Sequence, residues 1–245
     1  MDSCPIVVAS RRLDGDWNDL KLTVKSVRLY AKNCPLVVAW DGPQAPRFSP
    51  EEYGNVMSVR QDETCRTFGS AYNFGISKVD GDCIILNDDV VLLPDSISKL
   101  LEDVEELRRI YPVPAGIVGC RGSFASGCQS YDGFVRAQSN FISANAFQRG
   151  AGPLIRLEPP HRIAPFAAWL NREAFEQVGG LPDADWFGDD AFGLRLHRAK
   201  FSSFVSRSYV FHIGERSSST AGITQEQLLV EGKKWAETNE PGLLR

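Results

Sequence analysis

The stretch from Cys83 to Asp89, Cys-Ile-Ile-Leu-Asn-Asp-Asp, decides the fold class of this chain. Its four apolar residues follow a turn at residues 80–81 and predict a short buried strand. The strand ends in Asn87, Asp88 and Asp89, and burying carboxylates there without a partner would be costly. A divalent cation is a suitable partner, because Mg²⁺ and Mn²⁺ prefer oxygen ligands. A turn whose aspartates cap a helix is the alternative interpretation.

Short apolar runs and helical periodicity alternate on both sides of this strand. Strands are predicted at residues 5–10, 35–40 and 56–59, and helices at 17–31, 68–79 and from Pro94 onward. Such alternation predicts a parallel sheet covered by helices on both faces, a Rossmann-like layout. Ligands of such sheets bind at the carboxyl ends of the strands. Asp41 and the cluster 87–89 both lie at predicted strand ends.

The second half of the chain has fewer periodic apolar positions. Residues 121–152 are rich in Gly, Ser, Asn and Gln, and long polar loops on a rigid scaffold often bind ligands. Thr224 and Gln227 form a capping box that predicts a C-terminal helix. The other predicted elements are strands at 117–120, 165–169 and 204–212, and helices at 171–178 and 189–200.

Composition limits the class of protein. The chain has 245 residues, 43% hydrophobic and 24% charged, which suits one α/β domain. Its net charge is −4 and no run of Lys or Arg stands out, so the sequence offers no footprint for nucleic acid. No stretch approaches the ~20 apolar residues that span a bilayer, and no signal peptide is predicted. The absence of a CxxC pair predicts free thiols in the cytoplasm, at Cys4, Cys34, Cys65, Cys83, Cys120 and Cys128.

A second acidic pair, Asp189-Asp190, opens a predicted helix just after Trp186. Carboxylates at a helix start are stabilised by the helix dipole and cap free N–H groups. The alternative is catalytic, in which one carboxylate is a general base that takes a proton from an attacking hydroxyl. His212 ends the last predicted strand, where a structural role and a metal-ligand role are both open. Asp41 is either a turn residue or a hydrogen-bond acceptor for a ligand.

Two segments of the chain resemble the family 2 glycosyltransferases of the GT-A fold. In that family an Asn-Gly helix leads to an apolar strand that ends in Asp-X-Asp or Asn-X-Asp, followed by a Pro-Asp helix start. Residues 69–94 match this pattern, with Asn73 in the helix. The family then has a Gly-Gly turn, an aromatic residue, an acidic pair that opens a helix, and a strand that ends in His. Residues 170–212 match this order. The chain departs from the family's pattern at Tyr72, where Arg is frequent, at Asp189, where the acidic pair usually begins with Glu, and at Phe192, where Asp is common.

The resemblance implies a role for each candidate residue. Asp89 and His212 would bind Mn²⁺ or Mg²⁺, and Asp190 would be the catalytic base with Asp189 as its catalytic neighbour. A nucleotide-sugar donor would contact the side chains of Ser10, Arg11, Asp41, Asn73, Asn87, Asp88 and Trp186. Further candidates for phosphate or sugar contacts are Arg216, Ser217 and Trp169.

The resemblance also implies the fold and the activity. The fold would be α/β, with a Rossmann-like, mostly parallel central sheet, helices on both faces and a smaller acceptor-side subregion. A metal-dependent, inverting enzyme would move a sugar from a nucleotide-sugar, commonly a UDP-sugar, to a hydroxyl of a carbohydrate or glycoconjugate acceptor. Residues 1–120 would bind the donor. Residues 121–245 of the same domain would bind the acceptor and carry the base, with residues 121–165 shaping the acceptor site.

Three alternatives remain open at this level. A retaining glycosyltransferase has the same fold. A nucleotidyltransferase has a related sheet and the same metal, but it usually has a Gly-rich basic loop after the first strand, where residues 10–15 contain a single Gly. A non-catalytic module that binds carbohydrate or nucleotide would not need both acidic clusters.

Overall fold

The computed structural model describes residues 4–65, 67–123, 125, 129, 153–159, 161–214 and 224–244. The strands in this part of the chain are β1 (Ile6–Arg11), β2 (Leu36–Asp41), β3 (Val56–Arg60), β4 (Cys83–Asn87), β5 (Val90–Val91), β6 (Ala115–Gly122), β7 (Ile155–Leu157), β8 (Ala167–Leu170) and β9 (Ser202–His212). The helices are α1 (Asn18–Tyr30), α2 (Pro50–Tyr53), α3 (Phe68–Ile76), α4 (Ser96–Ile110), α5 (Arg172–Gln177), α6 (Gly188–Arg198) and α7 (Gln225–Asn239).

The strands form a central sheet in the order β3-β2-β1-β4-β8-β6-β9, and β5 and β7 both pair with β9. Strands β1 to β4 are parallel, as the alternation of strands and helices predicts. Strand β8 runs antiparallel to both β4 and β6, whereas β6 and β9 are parallel. The first half of the chain therefore builds a Rossmann-like sheet, and the second half extends it with mixed pairing.

The central strands are apolar along their whole length because both of their faces are covered. In β1, Ile6 and Val8 face one core and Val7 faces the other. Helices α1 and α4 cover the first face through Leu20, Val24, Val27, Leu100, Val104 and Leu107. Helices α3 and α6 contribute to the second face through Tyr72, Ile76, Phe192 and Leu196.

Helix α3 ends earlier than the predicted 68–79. It stops at Ile76, and Arg172 binds backbone oxygens at the end of the helix and in the turn that follows. The Arg172 guanidinium donates to the oxygens of Ile76, Val79 and Gly81 at 3.2, 2.6 and 3.0 Å. Gly81 has φ +70°, a conformation that favours glycine, so the chain reverses there before β4.

Several other features compare directly with the sequence predictions. The capping box of Thr224 and Gln227 is confirmed at the start of α7. The short elements α2, β5 and β7 were not predicted. Within the part of the chain that the structure describes, no helix is both long and apolar enough to span a bilayer. The described cysteines are free thiols, whereas Cys128 lies outside the described residues.

Gly69 in α3 has no room for a side chain. A Cβ atom there would lie 1.7 Å from the carbonyl oxygen of Pro182, and a backbone oxygen cannot rotate away. We therefore expect Gly69→Ala to lower the free energy of unfolding by about 2 kcal/mol or more, measured by urea denaturation.

Gly193→Ala is the matched control, because it makes the same substitution in α6. The nearest atom to its new Cβ would be Arg162 Cβ, at an ordinary contact distance of 3.7 Å. Since alanine favours a helix over glycine by up to about 1 kcal/mol, this variant should be as stable as the wild type or more so. Equal losses in the two variants would contradict the packing described for Gly69.

Candidate active site

The carboxyl ends of β1, β2 and β4 meet at one side of the sheet. The register pairs Arg11 with Asp41, and Arg11 Nε lies 3.4 Å from an Asp41 carboxylate oxygen. Asn87 at the end of β4 accepts a hydrogen bond from the Tyr72 hydroxyl at 3.1 Å. The predicted strand-end residues are thus neighbours, and two of them form an ion pair.

Asp88 points into the protein. Its carboxylate accepts hydrogen bonds from Ser10 Oγ at 2.5 Å and from Arg12 Nε at 2.9 Å, and its backbone oxygen accepts one from Thr23 at 2.9 Å. Burial raises the pKa of Asp88, and Arg12 opposes this effect by stabilising the charged form. Ser10 and Asp88 contact each other inside the fold, and their predicted contact with a donor stays a prediction.

Asp89 points to the other side of the same turn, towards the end of β9. Its Oδ1 lies 3.2 Å from His212 Nε2, and its Oδ2 accepts a hydrogen bond from the Gly214 amide at 3.2 Å. Among the described residues, no donor is aligned for a hydrogen bond to the buried Oδ1. The two residues predicted to bind metal are therefore in contact, and one carboxylate oxygen faces the imidazole.

The pair of Asp89 and His212 fits a divalent cation. Adjacent ligands of an octahedral ion, each about 2.1 Å from it, stand about 3 Å apart. The measured separation of 3.2 Å between Oδ1 and Nε2 is close to this value, and carboxylate and neutral imidazole both suit Mn²⁺. The described residues contain no group of three or more His, Cys, Asp and Glu side chains that could hold a metal. Substrate phosphates commonly complete such sites.

Strand pairing and ring stacking hold His212 in place. Val90 of β5 pairs with His212 of β9, so the strand that follows the acidic cluster brings the imidazole beside Asp89. The ring stacks on Phe166, with centroids 4.7 Å apart and planes 7° from parallel. Ser123 Oγ donates to the His212 oxygen at 2.8 Å and accepts from its amide at 3.0 Å.

Asp189 and Asp190 lie in the first turn of α6, and Arg162 bridges them. Arg162 Nε is 3.1 Å from Asp189 Oδ2, and Arg162 Nη1 is 2.9 Å from Asp190 Oδ1. Burial, and then repulsion from Asp189, raises the pKa of Asp190 to about 7, although Arg162 acts in the opposite direction. A carboxylate with this pKa is suited to accept a proton near neutral pH.

One cleft of about 340 Å³ joins these groups. Asn87 and His212 line it on the side of the sheet, and Trp186, Asp189 and Asp190 line it on the side of α6. Asp89 is buried and is not part of the lining, but it contacts His212, which is. The rest of the lining consists of Phe68, Ala125, Arg162, Ala164, Pro165, Phe166, Ala184, Asp185, Phe187 and Gly188.

Other predicted contacts lie away from this lining. Asn73 Nδ2 donates to the Leu181 oxygen at 2.8 Å and Asn73 Oδ1 accepts from the Leu181 amide at 2.9 Å, so this side chain fastens the Gly-Gly turn to α3. Trp169 is 2% exposed and packs in the core under the Arg108 guanidinium. Arg11 and Asp41 are not among the described residues that line the cleft. Arg216 and Ser217 lie outside the described residues.

Sequence reasoning missed two arginines in this region. Arg12 was passed over although it follows a predicted strand, and a partner for buried carboxylates was required there. Arg162 lies in a proline-rich stretch without periodicity, so no local pattern connects it to the acidic pair. A buried acidic cluster was the signal that could have led to Arg12, whereas Arg162 could be found only from coordinates.

Comparison with known proteins places this geometry in a family. A model of "Glycosyl transferase family 2" matches residues 6–179. The chain belongs to glycosyl transferase family 2. The match ends before the acidic pair of α6 and before His212. The roles expected of those residues are therefore argued from the fold and from the cleft, not from the family model. The comparison with curated proteins gives no match.

Solved structures support the same fold. A mannosyltransferase from Pyrobaculum calidifontis, in complex with GDP-Man and Mn²⁺, has a TM-score of 0.59 at 12% identity. The alignment covers 97% of this chain and 65% of the mannosyltransferase chain. TarS 1-349 from S. aureus, in complex with UDP-GlcNAc, has a TM-score of 0.58 at 10% identity, and the alignment covers 91% of this chain and 63% of the TarS chain. The chain thus spans a little under two thirds of each. The predicted GT-A fold is confirmed.

We expect Asp190 to make the free energy of unfolding fall as the pH rises. With a pKa of about 7, the folded state holds this proton more tightly than the unfolded chain, whose aspartates titrate near ~3.9. The stability gained from this proton is complete below the pKa of the unfolded chain. It is lost as the pH rises through the pKa of the folded state. Between pH 5 and pH 8, the free energy of unfolding measured by urea denaturation should fall by about 1–2 kcal/mol less in Asp190→Asn than in the wild type.

Asp80→Asn is the control for this measurement, because Asp80 is exposed on the turn before β4. This variant should keep the pH dependence of the wild type. If Asp190→Asn also keeps it, the pKa of Asp190 is not raised as described.

Proposed function

We propose that the chain is a metal-dependent glycosyltransferase that moves a sugar from a nucleoside-diphosphate sugar to a hydroxyl of a carbohydrate or glycoconjugate acceptor, with inversion. One observation carries the proposal: a carboxylate with raised pKa, Asp190, lines the same cleft as His212, which contacts Asp89. Base and cation ligands on two sides of one cleft are the groups that a direct displacement requires.

The donor class is supported by the solved structures of similar fold. The mannosyltransferase binds GDP-Man and TarS binds UDP-GlcNAc. We take a UDP-sugar as the expected donor and a GDP-sugar as the alternative, since both are nucleoside-diphosphate sugars. Asn87, Arg11 and Asp41 remain the proposed donor contacts at the strand ends, and residues 1–120 the donor-binding half.

Asp89 and His212 would hold the Mn²⁺ or Mg²⁺ ion. A bound ion supplies positive charge that stabilises the diphosphate leaving group. The chain's own residues prepare this position, because the pair Asp88–Arg12 fixes the turn and Phe166 fixes the imidazole ring.

Asp190 would remove the proton from the acceptor hydroxyl. Its raised pKa makes it a stronger base than an exposed aspartate, and Arg162 stabilises its charged form. Asp189 shares Arg162 and is proposed to hold the pair in position. Trp186 offers an apolar ring to a sugar at the same cleft. Residues 121–245 would form the acceptor side of the same domain, and the proposed location is the cytoplasm.

Asp89→Ala should remove the metal-dependent part of donor binding. Of the two proposed ligands only His212 would then be left, so the affinity for UDP or GDP in the presence of Mn²⁺ should fall ~10-fold or more. Isothermal titration with and without Mn²⁺ measures the change. Asp95→Ala, at an exposed aspartate before α4, is the control and should bind like the wild type. Equal Mn²⁺ dependence in both variants would exclude Asp89 as a ligand.

Asp190→Asn should separate binding from transfer. Donor binding should stay at the wild-type level, because the substitution lies on the α6 side of the cleft, whereas kcat for transfer should fall about 10²- to 10⁴-fold through loss of the base. Release of nucleoside diphosphate in the presence of an acceptor panel measures transfer. Normal turnover in this variant would refute the assignment of the base, and turnover with retained anomeric configuration would favour a retaining enzyme.

A further inference from the structure

The C-terminal helix α7 packs on the turn that leads into the acidic pair. Gly232 of α7 is buried, and a Cβ atom placed on it would lie 2.6 Å from Trp186 Cβ and 3.2 Å from the Trp186 oxygen. It would also lie 3.2 Å from the Phe187 ring. Only glycine allows α7 to approach this turn so closely.

The face of α7 that makes this contact is suited to close packing. Gly232, Ala236 and Glu240 follow one another at intervals of four residues and are all buried, whereas the neighbouring Lys233, Lys234 and Glu237 are exposed. A spacing of four places residues on one side of a helix. The two small residues of this line, Gly232 and Ala236, thus lie on the buried side of α7, and Glu240 continues that side just after the helix ends.

Glu240 anchors the other end of this contact. Its buried carboxylate accepts hydrogen bonds from Arg195 and from Arg198 Nη1, the latter at 3.4 Å, and both arginines belong to α6. Helix α7 therefore runs alongside α6 in the same direction, with Gly232 near the start of α6 and Glu240 near its end. The position of α7 is fixed relative to the helix that carries Asp189 and Asp190.

The turn under Gly232 has a backbone conformation that requires support. Phe187 has φ +64°, a left-handed conformation that is rare for bulky residues, and it immediately precedes α6. No side chain caps this end of α6, and the Phe187 oxygen accepts the first helical hydrogen bond from Ala191 at 2.9 Å. A strained residue persists only when its surroundings hold it, and α7 supplies such a contact.

We propose that α7 is a positioning element for the acceptor side of the cleft, and that Gly232 is its positioning residue. By fixing the Trp186–Phe187 turn, α7 sets where the Trp186 ring stands and how Asp190 is presented to the acceptor hydroxyl. This inference rests on the proposed function. It extends that function to residues 225–240, which lie beyond the segment matched by the family model.

Gly232→Ala tests the proposal by adding one methyl group against Trp186. We expect kcat for transfer to fall ~10-fold or more, or the acceptor KM to rise by a similar factor, because a shift of the turn moves the base and the aromatic ring. Affinity for UDP or GDP with Mn²⁺ should stay within twofold of the wild type. A merely structural role would not separate transfer from donor binding in a folded protein.

Two further variants complete the experiment. Lys233→Ala, on the exposed side of the same helix turn, should behave like the wild type in both assays. Glu240→Gln removes the anchoring charge without adding a clash, and it should lower transfer about threefold or more with donor binding unchanged. This second variant decides the matter if Gly232→Ala does not fold.

Wild-type transfer in Gly232→Ala and in Glu240→Gln would overturn the proposed role of α7 and leave the proposed function intact. Parallel loss of donor binding and transfer in folded variants would also overturn it, since α7 would then act on the whole site. A wild-type protein that transfers no sugar from any donor would instead overturn the proposed function, and the role of α7 with it.

Discussion

Two adjacent carboxylates point to opposite sides of one turn, and the candidate site depends on that division. Neighbouring buried carboxylates repel each other and lose their hydration, so each requires a partner of its own. Asp88 has Arg12 inside the fold, and Asp89 has His212 at the cleft. The inner ion pair fixes the turn and thereby holds the outer carboxylate in position. Two aspartates that are adjacent in sequence thus have different partners, because the turn separates their environments.

Much of the fold could be predicted from the sequence, because its signals are local. Continuous apolar runs predict β1, β2 and β4, since both faces of a central parallel strand are buried. Strands β5 and β7 escaped prediction because two and three residues are too few to show a pattern. Strand β5 pairs with Phe211 and His212, at the end of β9 beyond the residues that pair with β6, whereas β7 pairs with the opposite edge of β9 from β6. The antiparallel position of β8 likewise depends on long-range pairing that no local pattern records.

The residue types of the candidate site could be predicted, whereas their partners could not. The resemblance to family 2 glycosyltransferases implied that Asp89 and His212 are metal ligands, but the contact between them depends on the pairing of β5 with β9. It also named Asn73 as a donor contact, and an amide side chain serves equally well to bind a ligand or to fasten a turn. Its two hydrogen bonds to Leu181 are long-range, so geometry alone identifies them. Arg162 has no sequence signal at all, because it meets the acidic pair only in the folded chain.

The proposed reaction follows from the opposite charge preferences of the two sides of the cleft. At the sheet, Asp89 and His212 favour a cation and hence a diphosphate beside it. At α6, burial and then repulsion from Asp189 raise the pKa of Asp190 to about 7 and so make it a stronger base, while Arg162 opposes this shift by stabilising the charged form. Because both sides line one cleft, the proposed donor, with its diphosphate at the sheet, would present its anomeric carbon to a hydroxyl activated from the side of α6.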